Sequence, residues 1–258
     1  MARFAHLRAL VTGATGGIGV LVAERLANGG ADVIVHGRAA DDVAAVVARL
    51  GGHTRGAVAD LASLDAVRTL AREVGQVDLL INNAGVGIGR DQMKREVSHD
   101  GFELRFAVNY LAPFVLTHAL LDRVQAIVHV ASIGQRALDF SDLMFERDYD
   151  GIVAYRRSKL ALVMFGLDLA TSQPAPVNSL HPGTFLDTGM VRESGITPLG
   201  TAAQGADAVI HVVERTIAGE TGTFFDQLTP AHADPLAYDA ELRRRLRERT
   251  RELLAMPE

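Results

Sequence analysis

Near its start the chain runs from Leu10-Val11-Thr12 into Gly13-Ala14-Thr15-Gly16-Gly17-Ile18-Gly19, and a helical pattern follows at once. A glycine cluster alone signals only a turn, because glycine adopts backbone angles that other residues avoid. Between a strand and a helix the cluster has a narrower meaning. Gly13 permits a tight turn, Gly17 lets the backbone approach an anion, and Gly19 lets the helix pack close to the sheet. The unpaired N–H groups at the helix start then face that anion. Thr15 and Ile18 lie in the same turn. The segment reads as a cradle for a dinucleotide pyrophosphate; the plain alternative is a tight turn with no ligand.

The remaining sequence supplies the setting that such a turn needs. Short β-branched runs near 7–12, 31–36, 54–59, 77–82, 124–131, 177–181 and 223–225 alternate with helical patterns near 17–28, 41–50, 63–74, 102–121, 153–171 and 201–218. That order predicts a parallel sheet wound with helices. The runs show little apolar–polar alternation, as expected of strands covered on both faces. The expected fold is therefore α/β, a doubly wound parallel sheet of about seven strands with ligands at the carboxyl ends. No linker or repeat interrupts the pattern, so one domain over residues 1–258 is expected. A charged loop near 133–154 and a Gly-, Thr- and Pro-rich, mobile-looking loop near 184–200 read as substrate loops, with a last helix near 236–254.

Composition mainly excludes. The chain has no cysteine, which rules out disulfides, thiolate metal sites and cysteine nucleophiles. A net charge of −5 argues against nucleic acid as the main partner. No apolar run reaches the roughly 18 residues of a membrane span, and the first residues are too short and mixed for a secretory leader. A cytoplasmic protein acting on a small molecule is expected. The nine histidines show no metal-ligand spacing, so no metal is expected. The arginine-rich tail from Glu241 to Leu254 has interspersed glutamates and apolar Leu242, Leu246 and Leu253, which favours a solvated helix packing one narrow face.

The choice of dinucleotide depends on the end of the second strand. An acidic residue there would hold a ribose 2′-hydroxyl. The chain has Gly37-Arg38 instead, and an arginine fork pairs well with a 2′-phosphate. NADP(H) is therefore favoured, with NAD(H) possible; the competing reading is a surface arginine paired with Asp41 or Asp42. Asp60 and Leu61 follow the third strand, where Asp60 can accept from an adenine amino group or cap a helix. Asn83, Ala84 and Gly85 close the fourth strand, either as a plain turn or beside the cofactor.

Tyr155 and Lys159 stand at i and i+4, on one face of a helix. An ammonium nearby, helped by a positive oxidised nicotinamide, favours a phenolate and would lower the tyrosine pKa from its ordinary value near 10. Such a tyrosine can exchange a proton with a carbonyl or alcohol oxygen. Alone the pair is common surface decoration. Ser132 ends a strand and can steady charge on the same oxygen. Asn109 sits amid apolar residues, where an unpaired amide is costly, and can place a water beside Lys159.

Taken together, Thr12-Gly-x-x-x-Gly17-x-Gly19, Asp60, Asn82-Asn83-Ala84-Gly85, Asn109, Ser132, Tyr155-x-x-x-Lys159 and Pro182-Gly183 resemble the short-chain dehydrogenase/reductase family along nearly the full chain. The resemblance implies a Rossmann-type sheet and pyrophosphate contacts from Gly13, Gly17 and Gly19. It places Asp60 at adenine, Asn83 beside the cofactor and Lys159 on the nicotinamide ribose. It makes Tyr155 the acid/base, supported by Ser132 and Asn109. Pro182 and Gly183 would flank the nicotinamide, with Thr188 bonding its amide. Asp139-Phe140-Ser141-Asp142-Leu143 and the residues around Tyr155 resemble the retinol-dehydrogenase-like branch. The function implied is interconversion of a carbonyl and an alcohol on a small or apolar organic substrate, by a homodimer or homotetramer. A silent dinucleotide-responsive regulator and an epimerase or lyase are the alternatives. The first has no need of Ser132, Tyr155 and Lys159 together, and the chain after Pro182 is short for the second.

Overall fold

A computed structural model describes residues 3–256. The strands β1 (Arg8–Val11), β2 (Asp32–Gly37), β3 (Thr54–Val58), β4 (Leu79–Asn82), β5 (Ala126–Val130) and β6 (Val177–His181) alternate with helices α1 (Gly17–Asn28), α2 (Ala40–Leu50) and α3 (Leu64–Glu73). Between β4 and β5 one continuous helix comprises α4 (Leu104–Phe106), a π-helical turn (Ala107–Leu111) and α5 (Ala112–Leu120). Helix α6 (Gly151–Ser172) leads into β6, and then come β7 (Leu186–Asp187), α7 (Gly189–Glu193), β8 (Gly200–Thr201) and α8 (Ala202–Ile217). The chain finishes with β9 (Phe224–Asp226), β10 (Thr229–Ala231) and α9 (Ala240–Leu253).

The main sheet has eight strands in the order β10-β9-β6-β5-β4-β1-β2-β3, parallel except for β10. The chain winds outward from β1 in one direction and from β4 in the other. The crevice beyond the β1 and β4 carboxyl ends is therefore the switch point, where doubly wound sheets bind ligands. Register makes these ends level, with Val11 beside both Val35 and Ile81.

Period-two side-chain direction explains the two cores. Leu10, Ile34, Leu80 and Ile127 face α3, α5 and α6, whereas Val11, Val33, Ile81 and Val128 face α1 and α8. Both sets are fully or almost fully buried, each side chain contributing about 1.5–3 kcal/mol relative to exposure. Two caps fix where helices start. Ser63 accepts from Ala66 N–H, and Asp150 accepts from Ile152 and Val153 N–H, each cap worth about 1 kcal/mol.

Three features differ from expectation. The sheet has an eighth strand, β10, which is antiparallel, carries Pro230 and lies at the edge where proline is tolerated. The 184–200 loop contains ordered structure: β7 pairs with β8, Leu186 beside Gly200, and α7 lies between them. By length and composition Leu104–Arg123 is apolar enough to cross a membrane, a pattern the count of uninterrupted apolar runs overlooked; 78% of it is buried as the core helix. The arginine-rich tail packs as expected, with Leu246 and Thr250 inward and the Thr250 hydroxyl 2.7 Å from that of Tyr110.

Candidate active site

A cleft of about 560 Å³ opens at the switch point, lined by Gly13, Thr15, Gly17, Ile18 and Gly19 from the first turn. One wall is bound together by a network of polar contacts, partly buried. The Thr12 hydroxyl donates to the Ile81 carbonyl and accepts from both Asn83 and Ala84 N–H. The Asn83 amide returns the link, donating to the carbonyls of Thr12 and Gly13. A side chain at Gly13 or Gly19 would break this packing. A Cβ on Gly19 would lie 2.2 Å from the Gly13 carbonyl oxygen, and one on Gly13, where φ is +65°, would lie 2.8 Å from Ala84 Cα. Gly13 and Gly19 thus hold the turn tight against the β4 end, while a Cβ on Gly16 would meet nothing within 4 Å, so the turn leaves open space at the helix start that fits a bound pyrophosphate.

His36 supplies an unforeseen strut. Its Nδ1 accepts from Gly13 N–H at 3.2 Å while Nε2 lies 3.1 Å from the Ala59 carbonyl, which fixes the proton on Nε2. Burial brings its pKa down to about 4, so the ring is neutral. Arg38 lies at the cleft edge, exposed, and among the described residues no carboxylate pairs with it. The surface pair with Asp41 or Asp42 does not form. Asp60 and Leu61 line the same end. Asp60 is not a helix cap: Oδ1 accepts from Ala62 N–H, and Oδ2 lies 3.3 Å from His99 Nε2.

At the other end Tyr155 and Lys159 share the inner face of α6 and line the cleft with Val130 and Ala131. Lys159 Nζ lies 5.8 Å from the Tyr155 ring centre and donates to the Val130 carbonyl at 3.0 Å. Burial lowers the Lys159 pKa to about 8. The expected depression of the tyrosine pKa is not found. Burial pushes the Tyr155 phenol up, and a hydrogen bond with Ser132 pulls it only part of the way back. The reason is desolvation: the ammonium is directed to a carbonyl, and a buried phenolate lacks water. The Ser132 hydroxyl also accepts from Gly134 N–H.

Asn109 lies in the π-helical turn and is completely buried. Its Oδ1 accepts from Val86 N–H, and its amide donates to the Val86 carbonyl and the Ser158 hydroxyl. Ser158 in turn donates to the Tyr155 carbonyl, so Asn109 is linked to the backbone of the tyrosine itself. One acceptor position on Oδ1 remains. A Cβ on Gly85 would meet Asn109 Oδ1 at 3.0 Å and Lys159 Nζ at 3.6 Å, which puts both atoms at one gap.

The second wall consists of Pro182, Thr188, Gly189 and Met190. Thr188 caps α7 through Val191 N–H and packs its methyl over Gly17. Gly183 is not brought to the cleft: its φ of +131° turns the chain so that Leu186 packs beneath it. Neither Ser132 nor Asn109 is among the residues that line the main cleft. Sequence reasoning missed His36, His99, Ser158 and Gln135. Gln135 donates to the Ser132 carbonyl and accepts from Asp234 N–H. Only Ser158 had a local signal, three residues after Tyr155 on the helix.

The comparisons agree with this geometry. The short chain dehydrogenase family model matches residues 8–198. Human retinol dehydrogenase 13 is 34% identical over 275 aligned positions, covering 92% of this chain and 81% of that protein. A crystal structure of an uncharacterised protein from Mycobacterium paratuberculosis matches with a TM-score of 0.84 at 28% identity, covering 99% of this chain and 96% of that one. A short chain dehydrogenase from Burkholderia cenocepacia, solved with NADP, matches at 0.68 and 29% identity over 87% of this chain and 97% of its own. The chain therefore belongs to the short-chain dehydrogenase family of NAD(P)-dependent oxidoreductases, in its retinol-dehydrogenase-like branch.

Proposed function

We propose that the protein interconverts a carbonyl and an alcohol on a small or apolar organic substrate with NADP(H), and that Tyr155 is the acid/base. The observation that carries this reading is the placement of Tyr155 and Lys159 side by side at the end of a cleft that begins with the glycine turn. When bound, the dinucleotide supplies or takes up the hydride. Tyr155 gives its proton to the carbonyl oxygen during reduction and accepts one from the alcohol during oxidation. A phenol held up by burial is protonated at neutral pH, which suits reduction. The Ser132 hydroxyl donates to the same oxygen and steadies its growing charge. Lys159 holds the ribose, and the gap beside Gly85 admits a water that returns a proton past Lys159 and Asn109.

Arg38 supports NADP(H), because it is an unpaired guanidinium at the end of β2, where a 2′-phosphate would lie. Retinol dehydrogenase 13 and the methionine in the second wall support an apolar substrate. The test is a panel of carbonyls and alcohols, following NADPH and NADH absorbance. Tyr155→Phe is expected to lower kcat by about 10²–10⁴-fold while NADPH affinity changes little. Full turnover in that variant overturns the acid/base role. NADPH binding without turnover of any carbonyl would instead mark a silent regulator. Arg38→Ala is expected to weaken NADPH about tenfold or more and NADH hardly at all. An equal loss for both cofactors overturns the 2′-phosphate assignment.

A further inference from the structure

A second cavity of about 590 Å³ lies on the outer side of α6 and shares no lining residue with the cofactor cleft. Its size is that of small-molecule sites, roughly 300–1,000 Å³. Arg157, Leu160 and Met164 follow each other along one face of α6; Leu242 and Arg245 face them from α9, and the 136–141 segment forms the third side.

The chemistry is divided between floor and rim. Leu138, Phe140, Leu160, Met164 and Leu236 form an apolar floor, while Arg136, Arg157 and Arg245 bring positive charge to it. Among the described residues no carboxylate forms an ion pair with any of the three arginines. Two of the guanidiniums lie over aromatic faces, Arg245 at 4.4 Å from the Phe140 ring centre and Arg157 at 4.5 Å from that of Phe145. Stacking holds a guanidinium while leaving its in-plane N–H donors free. Arg157 Nε is shut away from solvent without a hydrogen-bond partner, a costly state that an incoming acceptor would relieve. The one acid in the lining, Asp139, is engaged by the Ser141 N–H and hydroxyl.

We propose that this groove binds a long-chain carboxylate, its tail along the apolar floor and its head group paired with the arginines. A carboxylate matches the flat arginine fork. Asp139 within the rim disfavours a dianionic head such as a phosphate monoester. The site is separate from the chemistry at Tyr155, so its occupant is a ligand and not the substrate.

The test is calorimetric titration of the NADP+-saturated protein with decanoate, with decyltrimethylammonium and decyl phosphate as probes of the same chain length. One decanoate per chain is expected, with weaker binding of the phosphate and none of the cation. The double variant R157A/R245A should lose about tenfold or more in decanoate affinity, and Ala137→Trp, at an exposed position on the rim, should block binding. Unchanged melting temperatures would show that both variants fold. Arg49→Ala, at a surface arginine that lines neither cavity, should bind decanoate as the parent does. Equal affinity in the double variant, tighter binding of decyl phosphate, or displacement of decanoate by a ligand of the Tyr155 cleft would each overturn the proposal.

Discussion

The two walls of the cofactor cleft are held by different means. The wall built from the ends of β1, β2 and β4 is cross-linked by partly buried hydrogen bonds through Thr12, Asn83 and His36. The wall built from β7 and α7 depends on a two-residue strand pair, a threonine cap and the exposed Asp187–Arg192 pair. Buried, fully paired networks are rigid and intolerant of change, whereas exposed ion pairs contribute little. Met190 of the second wall lines the cleft, and a softer wall there would suit a site whose cofactor is constant and whose substrate varies.

Substituting each wall should expose the difference. The largest effect is expected from Gly19→Ala, whose methyl has no room beside the Gly13 carbonyl. Since packed backbone cannot yield by that much, NADPH affinity measured by fluorescence should fall by about a hundredfold or more. Affinity within a few-fold of the parent would mean that the first wall is softer than its bonding indicates.

An intermediate effect should come from pH. With a pKa of about 4 in the fold and 6.5 as the ordinary value, His36 is neutral in both folded and unfolded chains above pH 6.5. As pH falls through 6.5 the unfolded chain gains a proton that the fold refuses until about 4, so stability is lost across that window. Between pH 7 and 5 His36 should account for about 2 kcal/mol of lost stability. His129, lowered to about 3 by burial and by Lys159, acts in the same direction. Urea titrations at both pH values should show a weaker dependence in His36→Gln. An unaltered dependence would remove His36 as its source.

The smallest effect is expected at the second wall. Arg192→Ala removes the partner of Asp187 at the surface. The melting temperature should hold, NADPH affinity should stay within about twofold, and the substrate KM should move by only a few-fold. A loss as large as that of Gly19→Ala would mean that the two walls are equally rigid.

What the sequence disclosed follows the same division. The glycine turn is written in consecutive residues, and Tyr155 and Lys159 are one helical turn apart, so local geometry revealed both. The α1 limits at Gly17 and Asn28 were equally legible, because apolar spacing and the flanking glycines mark them. The destination of the Lys159 amine was not legible, since Lys159 lies on α6 and the Val130 carbonyl belongs to β5. Nor was His36, which reads in sequence as one more residue of a buried strand. The β7–β8 pair and β10 escaped because runs of two or three residues carry no periodicity, although the run at 223–225 disclosed β9. The upward push of burial on the Tyr155 phenol was not legible either, because charge spacing is visible in sequence and desolvation is not.

The π-helical turn at Ala107–Leu111 has a consequence of another kind. A wide turn holds one residue more than an α-helical turn, so side chains before and after it are rotated by about 100° relative to an unbroken helix. Upstream, Arg105 reaches the carbonyls of Gly87 and Ile88; within the wide turn, Asn109 reaches Val86 and Ser158. Excising a single residue there would leave an equally apolar, more regular helix, yet its two inward-facing polar groups could no longer both find their partners. Here a count, and not the identity of any one side chain, is the information the chain must preserve.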